Sequence, residues 1–150
     1  MKTFNEGSYI DRVNTLSFTR AMRMRLLSTR NGKSVVECRG RNKSKNLSGM
    51  FHGGIMGTLV EISIATALRS RISPFIQLTT IEHSVTFLDP VFEGKVTAHA
   101  NILRLGKAIA VGTAEIRNAE GEIVAFGSAT ISLINQLVTA AHSPSTENTP

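Results

Sequence analysis

The sequence predicts an α+β domain in which one curved antiparallel sheet wraps around a single long, buried helix. Three observations carry this. Residues 53–68 hold one charge, Glu61, in an otherwise uncharged stretch. Four segments of strand-like patterning follow it, separated by turn signals. Two alternating runs precede it, joined by Asn31-Gly32. A sheet of that length has one large apolar face and one helix to cover it, so the economical packing is a sheet wrapped round the helix.

The elements follow in order. Asp11 to Thr19 reads as a short helix. Ala21–Thr29 and Lys33–Gly40 read as strands flanking Arg30-Asn31-Gly32, and Asn-Gly is the signal of a type I′ hairpin turn. Met22-Arg23-Met24-Arg25 alternates basic with apolar residues, which is strand patterning and not a disordered arm. Arg41–Phe51 is polar and reads as a loop. In Gly53–Leu68, Ile55, Met56, Leu59, Val60, Ile62, Ile64, Ala65 and Leu68 surround the helical wheel, as in a helix buried on all sides. Arg69 and Arg71 suit its C-terminal dipole, and Pro74 ends it. Gln77–Asp89, Lys95–Leu105, Ala108–Arg117 and Glu122–Ile134 are the strands, and their short connections imply an antiparallel meander. Residues 136–150 are expected to be a tail without fixed structure. Residues 1–135 then form one domain with the plan of the hot-dog fold.

Composition agrees. A chain of 150 residues with 41% hydrophobic residues is one domain able to bury a core. A lone cysteine, Cys38, excludes a disulfide framework and a multi-cysteine metal site. It points to the cytoplasm. Residues 1–14 lack the apolar run of a signal peptide, and no apolar stretch reaches the ~18 residues of a membrane span. Charge is uneven: residues 1–45 carry eleven Lys/Arg against three Asp/Glu, a net +8, and the rest carries −2. Such a segment suits an anionic partner (nucleic acid, a phosphorylated cofactor or an acidic carrier protein) or is a solvated basic face. Because the hairpin uses most of it, no helix-turn-helix fits and no nucleic-acid partner is expected.

The motifs carry a resemblance. His52-Gly53-Gly54 is followed by an acidic residue, Glu61, seven positions after the second glycine, and Asn46 stands six residues before the histidine. Thr80, Phe87-Leu88-Asp89-Pro90 followed by Gly94, Arg104-Leu105-Gly106-Lys107 and Glu120–Ala125 continue the pattern. Over residues 20–134 the chain resembles the phenylacetate-degradation-type branch of the hot-dog acyl-CoA thioesterases. It departs at two places. Most of that branch carries Asp where this chain has Glu61, and the Ser or Thr that some related aryl-CoA thioesterases add one turn later is Ala65 here. The resemblance implies hydrolysis of an acyl-CoA or aryl-CoA to free acid and CoA. CoA enters as part of the substrate, no other cofactor is expected, and the assembly is a homodimer or a homotetramer.

The residues fit that chemistry. A helix N-terminus offers free N–H groups and partial positive charge. The Gly53 and Gly54 amides are therefore a candidate oxyanion hole, with Gly53 the main donor by the resemblance; the pair can also serve close packing. A carboxylate in an apolar helix is costly without a partner. Glu61 can act as general base on water or attack the thioester to give an anhydride, or it can form a buried ion pair with an arginine of the sheet. Glu61 lies eight residues beyond Gly53, about 12 Å along the axis. One thioester cannot meet both groups of one chain, so a partner with an antiparallel helix would complete the site at a twofold interface. His52 can hydrogen-bond the thioester or hold its loop. Asn46 can orient water or the carbonyl, or serve a turn. Thr80 can position water. Arg104 and Lys107, like Arg69 or Arg71, can meet a CoA phosphate or stay solvated. His83 and His99 read as structural, and no metal site is expected.

Two other functions compete. Hot-dog dehydratases place a proline-rich loop after the histidine and a longer spacing to the acid; here that spacing is nine, and no proline lies between Met1 and Ile72. A non-catalytic acyl-CoA-binding protein, sensor or degenerate enzyme, is the alternative to hydrolysis.

Overall fold

The structure, a computed structural model, describes residues 4–135. The tail expected over 136–150 lies outside the described residues. Helix α1 spans Glu6–Thr15 and α2 spans Ser17–Ala21. The single helix expected over Asp11–Thr19 is thus two, and the first starts earlier. Asn5 is its cap, accepting the Ser8 N–H at 3.0 Å. Extended backbone at Leu16 (ψ 134°) separates the two. Strand β1, Met24–Arg30, begins later than Ala21 because α2 and a left-handed Arg23 (φ 53°) occupy the approach.

Strand β2, Lys33–Arg39, pairs antiparallel with β1. Their turn is the one the sequence predicts: Asn31 and Gly32 both take positive φ, 52° and 78°. Gly32 also donates its N–H to Ser70 Oγ at 2.8 Å, tying the hairpin to the far end of the central helix. A 3-10 turn at Asn42–Ser44 and a bridge between Lys45 and Phe51 shape the loop that follows.

The central helix α3 is Gly53–Arg69, and the remaining strands are β3 (Ile76–Phe87), β4 (Lys95–Leu105), β5 (Ile109–Arg117) and β6 (Ile123–Asn135). The sheet is antiparallel throughout, in the order β1-β2-β4-β5-β6-β3. Only β4-β5-β6 is a meander. Strand β3 was expected beside β4, but it lies at the edge along β6. The link 88–94 is the reason. It does not turn back as a hairpin; it crosses the start of α3, where Val91 O accepts the Phe51 N–H at 2.7 Å and Gly94 O accepts the Gly40 N–H at 2.9 Å. Those bonds deliver β4 to β2 and leave β3 to close the other side of the helix.

Leu59, Val60, Ile64, Ala67 and Leu68 of α3 are fully buried against Leu26, Val36, Val96, Ala98, Ile116 and Ile131 of the sheet. Polar atoms in this core are paired: Thr29 Oγ1 donates to Thr66 O at 2.8 Å, and Ser34 Oγ donates to Ser63 O at 2.7 Å. Cys38 is buried too, and desolvation pushes its thiol up to about 11, so it is an inert core side chain.

The helix is not buried on all sides. Ile55, Thr58, Glu61, Ile62, Ala65 and Arg69 are only half-buried and recur at three- and four-residue spacing, one open stripe along α3. Beside it, β3 offers a twelve-residue edge with Ile81 and Phe87 more than half exposed. Long unpaired apolar edges are uncommon in a lone chain.

Candidate functional site

The open stripe of α3 and the inner face of β3 enclose a cleft of about 590 Å³, with Gly53, Thr58 and Glu61 on one wall and Thr80, His83 and Phe87 on the other. Thr80 Oγ1 donates to Glu61 Oε1 at 2.7 Å. Among the described residues no arginine or lysine pairs with Glu61, so the ion pair with the sheet is not formed. The carboxylate is instead held by one hydroxyl, and Glu61 lines an open cleft.

His52 is the N-cap of α3. Its Nδ1 accepts the Gly54 N–H at 3.0 Å, and its backbone N–H donates to Ser44 O at 2.8 Å. An accepting Nδ1 places the proton of the neutral ring on Nε2. Of the two glycine amides, then, Gly54 is spoken for. The Gly53 N–H has no acceptor among the described residues. A Cβ on Gly53 would lie 3.0 Å from Phe87 Cζ, so glycine lets that ring close over the helix start.

Asn46 is not in the Glu61 cleft. It lines a neighbouring one of about 390 Å³, shared with Met50, Met56 and Asp89. Its Oδ1 accepts the N–H groups of Ser48 (2.9 Å) and Met50 (3.1 Å), so the side chain builds its own turn. Gly53 and Phe87 line both clefts and form the partition. Arg104 and Lys107 are exposed at the β4–β5 hairpin, outside either cleft. That hairpin is at the C-terminal end of α3: Ile102 N bonds Gly32 O at 2.8 Å, and Gly32 abuts Arg71.

His83, which the sequence reads as structural, lines the Glu61 cleft. Alternation from Thr80 puts position 83 on the outer face. The register of β3 against β6 slips between Thr80 and Glu82, and such a bulge transfers the following residues to the opposite face. After it, His83, Val85 and Phe87 face α3 with Thr80. A Cβ on Gly57 would sit 3.4 Å from His83 Nε2. A bulge has no dependable sequence mark when neither strand carries glycine at the site.

Residues 48–125 match the family model described as Thioesterase superfamily. The chain is 29% identical to human acyl-coenzyme A thioesterase 13 over 116 residues, 73% of this chain and 79% of that protein. Its fold matches a thioesterase from Haemophilus influenzae with a TM-score of 0.82 at 24% identity, covering 91% of this chain and 94% of that one. It also matches the PaaI protein of the Escherichia coli phenylacetic acid degradation operon, with a TM-score of 0.76 at 24% identity over 83% and 89% of the two chains. A sheet-wrapped helix, a capped His-Gly-Gly start and an acid two turns on thus coincide with the family match, and the chain belongs to the thioesterase superfamily as a hot-dog thioester hydrolase.

Proposed function

We propose that the chain hydrolyses acyl-CoA thioesters at a site shared by two copies of itself. The observation that carries this is the Glu61–Thr80 pair in an open cleft, two helical turns from the unsatisfied Gly53 amide. The thioester oxygen would accept the Gly53 N–H, aided by the helix dipole. Glu61 of the other copy takes a proton from water, whose oxygen attacks the carbonyl carbon. The tetrahedral intermediate then breaks its C–S bond, and the proton returns to the leaving thiolate. Thr80 donates to one carboxylate oxygen, which holds the rotamer and leaves the second for water. Asn46 and the capping His52 keep the loop and helix start in place, and Gly54 lets the carbonyl approach.

The second copy follows from the protomer's unfinished surface. Pairing β3 with its symmetry mate would continue the sheet, and antiparallel α3 helices would cover each other's open stripes. The hairpin bearing Arg104 and Lys107 would then lie toward the partner's helix start, within the range of a CoA phosphate. Sedimentation at micromolar concentration should give a dimer or a tetramer; a stable monomer contradicts the shared site. The lone buried Cys38 fits a reducing compartment, the cytoplasm.

The activity is tested by free-thiol release from short, long, aryl and dicarboxylic acyl-CoAs. Saturable release from at least one class is expected. Tight binding without release would favour the non-catalytic alternative.

A further inference from the structure

A third cavity, of about 200 Å³, lies at the other end of α3, between its last turn and α1. Phe4, Tyr9, Ile72 and Pro74 supply apolar walls, Asn5 and Ser8 polar ones, and two arginines, Arg12 and Arg69, complete the lining. Neither arginine pairs with an acid among the described residues. The nearby Glu6 is occupied elsewhere, accepting the Thr29 N–H at 3.0 Å. Arg12 lies over the Tyr9 ring at 5.8 Å from its centroid. Arg69 spends one nitrogen on the carbonyls of Ser73 (3.2 Å) and Ile76 (2.7 Å). Burial lowers the Arg69 pKa most; Tyr9, whose hydroxyl is also a hydrogen-bond partner of the guanidinium, opposes the shift, and the Arg12 charge adds to the lowering. Arg69 is half-buried, so its charge is partly desolvated with no acidic partner among the described residues, which is costly, while the exposed Arg12 adds a second like charge at the mouth. An anion entering between them would relieve that cost.

We propose that this cavity binds a small organic carboxylate with a compact apolar body, its carboxylate between Arg12 and Arg69 and its body against Tyr9, Phe4 and Ile72. A guanidinium pair suits a carboxylate geometrically. The volume is below that of drug-sized ligand sites, which limits the body to about one ring or a short branched chain. An acid of this kind is what thioester hydrolysis releases, but the site lies apart from Glu61 and does not rest on the hydrolytic reading.

The sequence supplies a probe. It has one tyrosine and no tryptophan, so intrinsic ultraviolet emission reports on Tyr9 alone. The full chain is titrated with benzoate, phenylacetate and isovalerate at fixed ionic strength, with acetate, inorganic phosphate and adenosine 3′,5′-bisphosphate in parallel. A saturable change in Tyr9 emission is expected with at least one of the first three, at least about tenfold tighter than with acetate or phosphate. Arg12→Gln, on the exposed side of α1, should weaken it about tenfold, the worth of one charged hydrogen bond. Arg69→Gln should do the same, with circular dichroism checking that the loss of its carbonyl bonds has not unfolded the chain. If Arg69→Gln unfolds, Arg12→Gln decides alone. Tyr9→Phe, followed by calorimetry, should retain binding. No saturation with any carboxylate by emission or calorimetry, equal affinity for phosphate, tighter binding of the bisphosphate, or unchanged affinity in Arg12→Gln would each overturn the assignment.

Discussion

Glu61→Gln is expected to lower turnover of any accepted thioester by at least about 10²-fold, the scale of losing general-base or nucleophilic assistance. The amide keeps the size of the carboxylate and can still accept the Thr80 hydroxyl at the position Oε1 holds now. Fold and assembly should therefore survive, and the loss should fall on kcat with little change in KM. Steady-state kinetics beside a thermal melt check both halves. Full turnover in a folded Glu61→Gln protein would remove the residue from the chemistry.

The largest stability effect is expected where the helix is seated on the sheet. Ile64 is fully buried at the middle of α3 and faces Gly112 of β5: a Cβ there would lie 2.6 Å from Ile64 Cγ2 and 3.0 Å from Ile102 Cδ1. Ile64→Ala should cost about 2–5 kcal/mol, the range for deleting a buried Ile side chain to Ala. Gly112→Ala alone should cost about 1–3 kcal/mol by overpacking. The double variant should be less destabilised than the two losses added, by at least about 0.5 kcal/mol, because the new methyl enters the space Ile64 vacates. Asn101 O, 3.1 Å from the same Cβ, keeps the rescue partial. Denaturant unfolding of the four proteins gives the cycle; strict additivity would mean that the contact is not the one that seats the helix.

Much of this was legible in the chain because the signals are local. The Asn31-Gly32 turn, the start of α3 at Gly53 and the limits of β4 follow from turn chemistry and periodicity, and the structure keeps them within a residue. What escaped depends on distant partners. The edge placement of β3 follows from bonds between the 88–94 link and residues 40 and 51, which no local pattern encodes. The half-buried stripe on α3 was read as full burial because Ile55, Ile62 and Ala65 are as apolar as their neighbours; apolarity does not say whether the covering surface is the sheet or a second chain. The site divides in the same way. Glu61 stood out as a charge in an apolar helix, and the resemblance supplied Thr80. Asn46 reads either as a group that orients water or the carbonyl or as a turn residue, and its side-chain oxygen serves the 46–50 turn. His83 reads as structural because no acid or histidine stands at ligand spacing from it, and the bulge that turns it toward α3 depends on the pairing of β3 with β6.

The central claim is that Gly53 of one copy and Glu61 of another form one site, and mixing two inactive variants tests it directly. Gly53→Pro removes the amide donor at the first helical position, where proline is tolerated. The preceding His52 already has the extended backbone (φ −66°, ψ 130°) that a following proline requires. Phe87, whose ring end lies 3.0 Å from a Cβ at this position, must shift by a few tenths of an ångström. Each homodimer, Gly53→Pro or Glu61→Gln, should be inactive. In a verified heterodimer, one site collects both lesions and the other has neither, so activity should recover to as much as half that of the unaltered dimer. Heterodimers as inactive as their parents would contradict a site shared across the interface.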